Sequence, residues 1–434
     1  MSLSNTKLLN MMEKAKLKGI ILLQNIQYKQ NLQSIQNGQK RQNGQFRQHQ
    51  QLYQNSGVKR SCTIEPLKNF ATIVTGIRRC GKSTLLRQYL SGKKPVYYIH
   101  FEDIRLASFE LKDFEKLEDI FLKELGLSEI YFLDEIQNVK GWEIYVRSLL
   151  DSGKKVFITG SNATLMSSEP GTRLTGRNIR YELFPFDFDE FCRAKEKERN
   201  SAEFEKYLSG GGFPEYVLRK DERILQALLN DIIYRDILVR NKIRDEGVVK
   251  NIITYMLSNI GNETSFNKIG ELFGVAPNTV ISIVNALEDA YFIFVLNKFD
   301  YSLKKQQRNP KKVYCVDNGF ITHASFQFSG NKGSLLENLV FIELRRRGYE
   351  LYYHKDKDEC DFVVKEGVRI TKAFQVCYEL NDDNFKRETD GLIEAMDKYG
   401  LDSGVILTFG QDDEFDFDNR KVAVIPLWKY NFLD

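Results

Sequence analysis

The sequence predicts an α/β fold built on a parallel sheet, continued by a helical module and a second mixed α/β region, on three observations. Apolar strand-like runs at Ala71–Thr75, Val96–Phe101, Ile130–Leu133, Val156–Thr159 and Ile179–Leu183 alternate with stretches of helical character, which is the rhythm of βαβ units. That alternation fades after Phe191; from about Ser201 to Leu296 the pattern is mainly helical, and from about Val313 strands and helices mix again. The 434 residues are 42% hydrophobic and 28% charged, enough apolar material for several cores at roughly 100–200 residues per domain. The expected division is a tail over 1–57, an α/β domain over 58–195, a helical module over 196–312 and a C-terminal domain over 313–434.

The tail is unusual in composition. Residues 1–60 carry ten Lys/Arg and one Asp/Glu, a charge of +9, while the remaining 374 residues sum to −5. From Gln24 to Gln54 a glutamine stands at every third position, a period that matches neither the helix nor the strand. The segment therefore reads as low-complexity, disordered and solvated. The mildly acidic body does not advertise nucleic-acid binding. No apolar run approaches the 18 or so residues of a membrane span, and the N-terminus lacks the basic-then-apolar order of a secretory signal. Six scattered cysteines (Cys62, Cys80, Cys192, Cys315, Cys360, Cys377) form no C-x-x-C pair, and with only four histidines a zinc site is not expected. Free thiols in a reducing compartment place the protein in the cytoplasm, with no membrane partner.

The chemistry-bearing motif is Gly76-Ile77-Arg78-Arg79-Cys80-Gly81-Lys82-Ser83, with Thr84 following. It fits G-x-x-x-x-G-K-[ST], follows the strand ATIVT and opens the helix STLLRQYL, the context a phosphate-binding loop requires. Its glycines let the chain wrap a polyanion, and the N–H groups at the helix start point at phosphates. Lys82 would reach the β- and γ-phosphates of ATP, and the Ser83 hydroxyl would ligate Mg²⁺. Ile130-Tyr-Phe-Leu-Asp134-Glu135 is an apolar strand ending in two carboxylates; Asp134 would hold the Mg²⁺ and Glu135 would polarise the attacking water. Val156-Phe-Ile-Thr159-Gly-Ser161-Asn162 ends in polar residues, of which Asn162 is placed to sense the γ-phosphate. Gly171-Thr-Arg173-Leu-Thr-Gly176-Arg177 offers two arginines, and Arg177 is the favoured one for transition-state charge, in cis or from a neighbouring subunit of a homo-oligomer.

This order of strands resembles the AAA-type branch of P-loop NTPases, in which a strand stands between the lysine loop and the Asp-Glu strand. The resemblance implies a sheet of order 5-1-4-3-2 with ATP and Mg²⁺ at the C-terminal strand ends. GIRRCGKSTLL, YFLDEIQNVKGWE, FITGSNA, the TGR loop with ELFPFDFDEF, and GGFPE (Gly211 to Glu215) together resemble a prokaryotic family of AAA-type ATPases that carries a C-terminal domain of unknown function. Hydrolysis of ATP to ADP and phosphate is what that resemblance implies; the partner, protein or nucleic acid, stays open.

Residues 264–291 read helix, Gly turn, helix, with an apolar strand pair expected over Phe292–Lys298: a winged-helix-like pattern. Its second helix offers Asn278 and Asn285 but no Arg or Lys, so packing or partner binding leads over DNA reading. The C-terminal order αβββαβ resembles the restriction-endonuclease-like fold. Glu337, Asp361 and Gln375 fall at three of the four places of its metal-dependent site, while Cys377 stands where the lysine belongs. The resemblance therefore implies a degenerate site without nuclease activity, with an ATP-regulated nuclease and a nucleotide-held switch as alternatives to the ATPase.

Overall fold

The computed structural model describes residues 2–41, 57–93, 95–163, 176–241, 243, 245–324, 331–417 and 420–430. Two compact units result: Met1–Gly76 with Gly81–Leu183, and Ile77–Cys80 with Phe184–Asp434.

In the first unit, α1 (Ser2–Arg41) precedes β1 (Ala71–Thr75), α2 (Lys82–Leu90), β2 (Val96–His100), α3 (Phe114–Leu125), β3 (Ile130–Asp134), α4 (Trp142–Asp151), β4 (Lys155–Gly160) and β5 (Asn178–Glu182). All strand pairings are parallel, in the order β2-β3-β4-β1-β5, which is the expected 5-1-4-3-2 read from the other edge. Mostly buried on both faces, β1 to β4 read as largely apolar runs rather than alternations, whereas edge strand β5 is more exposed. One face packs Ile73, Ile99, Leu133 and Ile158 against Phe114, Leu117 and Phe121 of α3 and Trp142, Val146 and Leu150 of α4.

The N-terminal helix corrects the reading of residues 1–57 as a disordered tail: Ser2–Arg41 is helical, and residues 42–56, with the rest of the glutamine series, lie outside the described residues. Leu17, Ile20, Ile21, Gln24, Asn25, Tyr28 and Leu32 are buried, a stripe at 3.6-residue spacing that the glutamine period conceals. The stripe laps around edge strand β2. Leu17, Ile20 and Ile21 join the core on the Tyr97 and Ile99 side, while Tyr28 stacks on Tyr98 at 4.7 Å between ring centroids. Between them, two side-chain amides take the place of a neighbouring strand. Asn25 accepts from Tyr98 N–H (3.3 Å) and donates to Tyr98 C=O (2.9 Å). Gln24 accepts from His100 N–H (3.0 Å) and donates to His100 C=O (3.3 Å). The polar residues are buried because their partner is an edge backbone that must be satisfied.

The second unit begins with α5 (Phe188–Lys195), α6 (Ser201–Gly210), α7 (Pro214–Arg219) and α8 (Arg223–Asp231), which runs into a π-helical segment, Ile232–Val239. Next come α9 (Glu246–Ser258), α10 (Phe266–Phe273) and α11 (Pro277–Asp289). The axes of α10 and α11 meet at 112°, within the helix-turn-helix range. The expected strand pair within Phe292–Lys298 is a single strand, β6 (Ile293–Asn297), because that run contains no turn residues. Its antiparallel partner is β7 (Lys311–Cys315), beyond α12 (Leu303–Arg308).

After α13 (Asn318–Ala324), the remainder is α14 (Lys332–Arg346), β8 (Glu350–Lys355), β9 (Glu359–Glu366), β10 (Arg369–Val376), α15 (Phe385–Tyr399), β11 (Ser403–Thr408), β12 (Asp413–Phe417) and β13 (Arg420–Pro426). Its mixed sheet has the order β12-β13-β11-β10-β9-β8. The GGFPE motif is a packing device here. A Cβ on Gly211 would fall 1.9 Å from Asp317 Oδ1, and one on Gly212 2.2 Å from Phe186 O. Among the described residues no single helix is long and apolar enough to cross a membrane, and all six cysteines are free.

Candidate functional site

The loop after β1 is shaped by its glycines. Gly76 (φ +137°) and Gly81 (φ +104°) sit in backbone conformations that side chains avoid, and a Cβ on Gly76 would come within 2.1 Å of Leu183 O. Gly81 caps α2, whose first turn holds no acidic residue, so the helix N-terminus stays suited to an anion. Lys82 is 5% exposed; its Nζ donates to Gly76 O (3.0 Å) and lies 3.9 Å from Glu135 Oε1. Ser83 Oγ donates to Asp134 Oδ1 at 2.9 Å.

The β3–β4 register sets Asp134 beside Thr159, and the strand ends converge on the Asp134 carboxylate. Oδ1 accepts from Ser83 and from the Thr159 hydroxyl, and Oδ2 accepts from Tyr98 OH (3.0 Å), with His100 Nδ1 at 3.6 Å. Glu135 adopts a left-handed conformation (φ 55°), which turns its side chain across the end of β4. There its Oε2 accepts from Ser161 N–H (3.2 Å), Ser161 Oγ (3.1 Å) and Gln137 Nε2 (2.5 Å). Asn162 is buried just beyond. A hydroxyl beside a carboxylate, in front of a cationic helix start and a buried lysine, is a donor set that fits Mg²⁺ with a polyphosphate.

Lys82, Ser83, Asp134 and Glu135 are thus brought together. Arg177 is not. Its carbonyl accepts from Ala71 N–H, at the first residue of β1, so it stands at the opposite end of the sheet from Gly76, roughly 17 Å away at 3.3 Å per residue. Its guanidinium pairs with Asp151 and donates to Asn69 O (3.3 Å). The expectation that Arg177 completes this site in cis is corrected: the residue leads into β5 at its N-terminal end, whereas phosphate loops sit at C-terminal ends. Arg173 lies outside the described residues. Ile77–Cys80 group with the second unit, where Arg78 binds Asp236 (3.0 and 3.2 Å) and Arg79 binds Asp231 (3.0 Å). Ile77 and Cys80 are fully buried, and Thr84 half-buried.

Sequence reasoning missed Tyr98, Thr159 and Ser161 as partners of the two carboxylates, and also Arg60. The Arg60 Nη1 lies 3.2 Å from where a Cβ on Gly81 would be, which sets a second cation over the loop. Arg60 belongs to no motif, and position in the fold alone reveals it.

The family match agrees with this fold. Residues 68–192 match the AAA domain family, and 201–331 and 332–430 match two successive domains of unknown function. An uncharacterized protein of Methanocaldococcus jannaschii is 37% identical over 86% of this chain and 91% of its own length. An uncharacterized protein of Haemophilus influenzae is 32% identical over 83% and 94%. The chain belongs to their family. A second M. jannaschii protein, also uncharacterized, is 25% identical over 84% of this chain and 85% of its own. The first two alignments, over 408 and 390 residues, extend well beyond the AAA domain at 68–192.

The family's last domain carries the second set of expected residues. Glu337 on α14, Asp361 on β9 and Gln375 on β10 do converge. Gln375 Oε1 accepts from Asp361 N–H (3.2 Å), and its Nε2 donates to Glu388 Oε2 (2.7 Å). Burial, with Glu337 adding to it, pushes the Asp361 carboxyl up to about 7. Cys377 faces the apolar core with Leu392 and Met396, and burial pushes its thiol up to about 11. A cation absent from the motif fills the centre instead. Lys312, on β7 and within the preceding family domain, contacts Glu337, Glu359 and Asp361.

Proposed function

We propose that this protein binds Mg·ATP and hydrolyses it to ADP and phosphate. The observation that carries the reading is the convergence of Lys82, Ser83, Asp134 and Glu135 at the C-terminal ends of a parallel sheet, supported by the AAA-domain match over 68–192. Mg²⁺, when bound, offsets charge on the β- and γ-phosphates. Ser83 Oγ and Asp134 are the residues that would hold it, Asp134 being kept in place by Tyr98 and Thr159. Lys82 leaves Gly76 O for phosphate oxygens, and Arg60 adds charge from above the loop. Glu135 orients the attacking water and takes its proton as the new P–O bond forms and the bond to the β-phosphate oxygen breaks.

The test is phosphate release with Mg·ATP, beside nucleotide binding by a fluorescent ATP analogue, in wild type, Lys82→Ala and Glu135→Gln. Lys82→Ala should lose binding. Glu135→Gln should keep binding and lose turnover by about 100-fold or more, about 100-fold being the lower end of what one acid–base group contributes. Equal turnover in wild type and Glu135→Gln would sink the hydrolytic reading.

One observation favours a nucleotide-held switch instead: Ser161 and Gln137 already engage the Glu135 carboxylate. Tight nucleotide binding with turnover indifferent to Glu135→Gln would select it. DNA reading by the helical module gains no such support, since the exposed positions of α11 (Pro277, Asn278, Thr279, Ile281, Ser282 and Asn285) carry no cation.

A further inference from the structure

We propose that Lys312 stands in for a divalent cation in the acidic site of the C-terminal domain, so that this site is closed by the chain's own ammonium and takes no metal. The Nζ of Lys312 lies 3.2 Å from Glu337 Oε1, 2.7 Å from Glu359 Oε1 and 2.9 Å from Asp361 Oδ1. An ammonium has three N–H donors, and three carboxylates from two elements receive them. The side chain is 1% exposed, packed beside the Tyr353 ring at 5.7 Å from its centroid.

Two of these carboxylates also accept from the protein. Tyr314 OH, two residues on and therefore on the same face of β7, donates to Glu337 Oε1 at 2.7 Å. Asp361 Oδ2 accepts from Val376 N–H at 3.0 Å. A Mg²⁺ ion requires near-octahedral oxygens at about 2.0–2.1 Å, and the ammonium occupies the point where Glu337 and Asp361 would supply them. The two cations are sterically exclusive. They are not chemically equivalent, because an ammonium does not polarise a bound water into a nucleophile, and the donors of this one are spent on carboxylates. The arrangement keeps a cation among the carboxylates and deletes the chemistry of a metal. It also ties the two domains of unknown function together through one ion cluster.

The experiment uses the full chain without nucleotide. Mn²⁺ binding is measured by calorimetry, and melting is followed in Mn²⁺ and in EDTA, for wild type, Asp361→Asn, Lys312→Ala and Lys312→Ala/Asp361→Asn. Wild type and Asp361→Asn should bind Mn²⁺ alike, and wild-type melting should not respond to Mn²⁺. Lys312→Ala should melt lower in EDTA and regain about 5 °C or more at Mn²⁺ roughly 100-fold above Kd. The double variant should lose that rescue.

Where Lys312→Ala does not fold in EDTA, Lys312→Met/Glu359→Gln removes one charge of each sign and serves the same comparison. Wild-type Mn²⁺ binding, or Mn²⁺-dependent DNA cleavage, that is lost in Asp361→Asn would overturn the proposal. So would a folded Lys312 variant that gains no Mn²⁺ binding.

Discussion

Replacing Asn25 by leucine tests whether α1 is an integral part of the first unit. The side chain is 2% exposed and supplies Tyr98 N–H and C=O with their partners, at 3.3 and 2.9 Å. Leucine keeps the γ-branched shape at a larger volume and removes both hydrogen bonds, leaving two backbone groups of an edge strand covered but unsatisfied. At about 1–3 kcal/mol for each orphaned group, the loss is about 2–5 kcal/mol, reduced somewhat by the extra apolar contact. The chain has two tryptophans, and Trp142 lies in the core that α1 joins. In a Trp428→Phe background its fluorescence therefore follows the first unit during urea unfolding. With a slope near 2 kcal/mol per molar urea, the midpoint should fall by about 1–2 M. Gln27→Leu is the control: it makes the same chemical change on the exposed face of α1 and should stay within about 0.5 kcal/mol. A midpoint for Asn25→Leu within about 0.2 M of the parent would refute the edge-capping argument and return α1 to the solvated tail its composition suggests.

Two other perturbations probe the second unit. Gly212→Ala places a Cβ 2.2 Å from Phe186 O, a backbone atom that cannot swing aside, so it should destabilise by about 3 kcal/mol or more; a variant with wild-type denaturation would disprove that approach. Asp317 is pushed up to about 7 by burial, despite accepting from the N–H groups of Gly212 (2.6 Å) and Gly319 (2.8 Å). Between pH about 4 and about 7 the native state then holds a proton that the unfolded chain has released, so this group's contribution to stability falls as pH rises through that window and is level above it. The stability difference between wild type and Asp317→Asn should shift against wild type from pH 5 to pH 8, by at most roughly 3 kcal/mol. A difference constant with pH counts against the raised pKa.

What the sequence made legible was the part of the fold where local pattern and tertiary environment coincide. Buried parallel strands read as apolar runs, and the phosphate loop reads directly because each glycine has a steric cause. Arg177 misled because a Gly-flanked arginine looks the same at either end of a strand; only the β1–β5 register, with Ala71 beside Asn178, decides the end. Lys312 was invisible for a different reason. The fold's lysine position falls at the end of β10, and the sequence there has Cys377, one residue past the strand. The cation reaches the same carboxylates from β7, 65 residues earlier in the chain, in a strand that pairs with β6 rather than with the sheet it serves.

The same kind of residue that concealed α1 also explains why Lys312 arrives where it does. Asn338 on α14 is 1% exposed; its Oδ1 accepts from Cys315 N–H (2.7 Å) and its Nδ2 donates to Cys315 C=O (2.9 Å). A carboxamide from a helix satisfies one residue of a strand, as Asn25 and Gln24 do on β2. In both places an amide amid apolar neighbours reads as a break in the helix's buried face, although it makes two hydrogen bonds to a strand backbone. On β7 the consequence is positional. With Cys315 fixed against Asn338, Lys312 and Tyr314 come to the adjacent Glu337, and a slip of one residue would turn both to the other side of the strand. The ion cluster therefore depends on an amide that touches none of its charges.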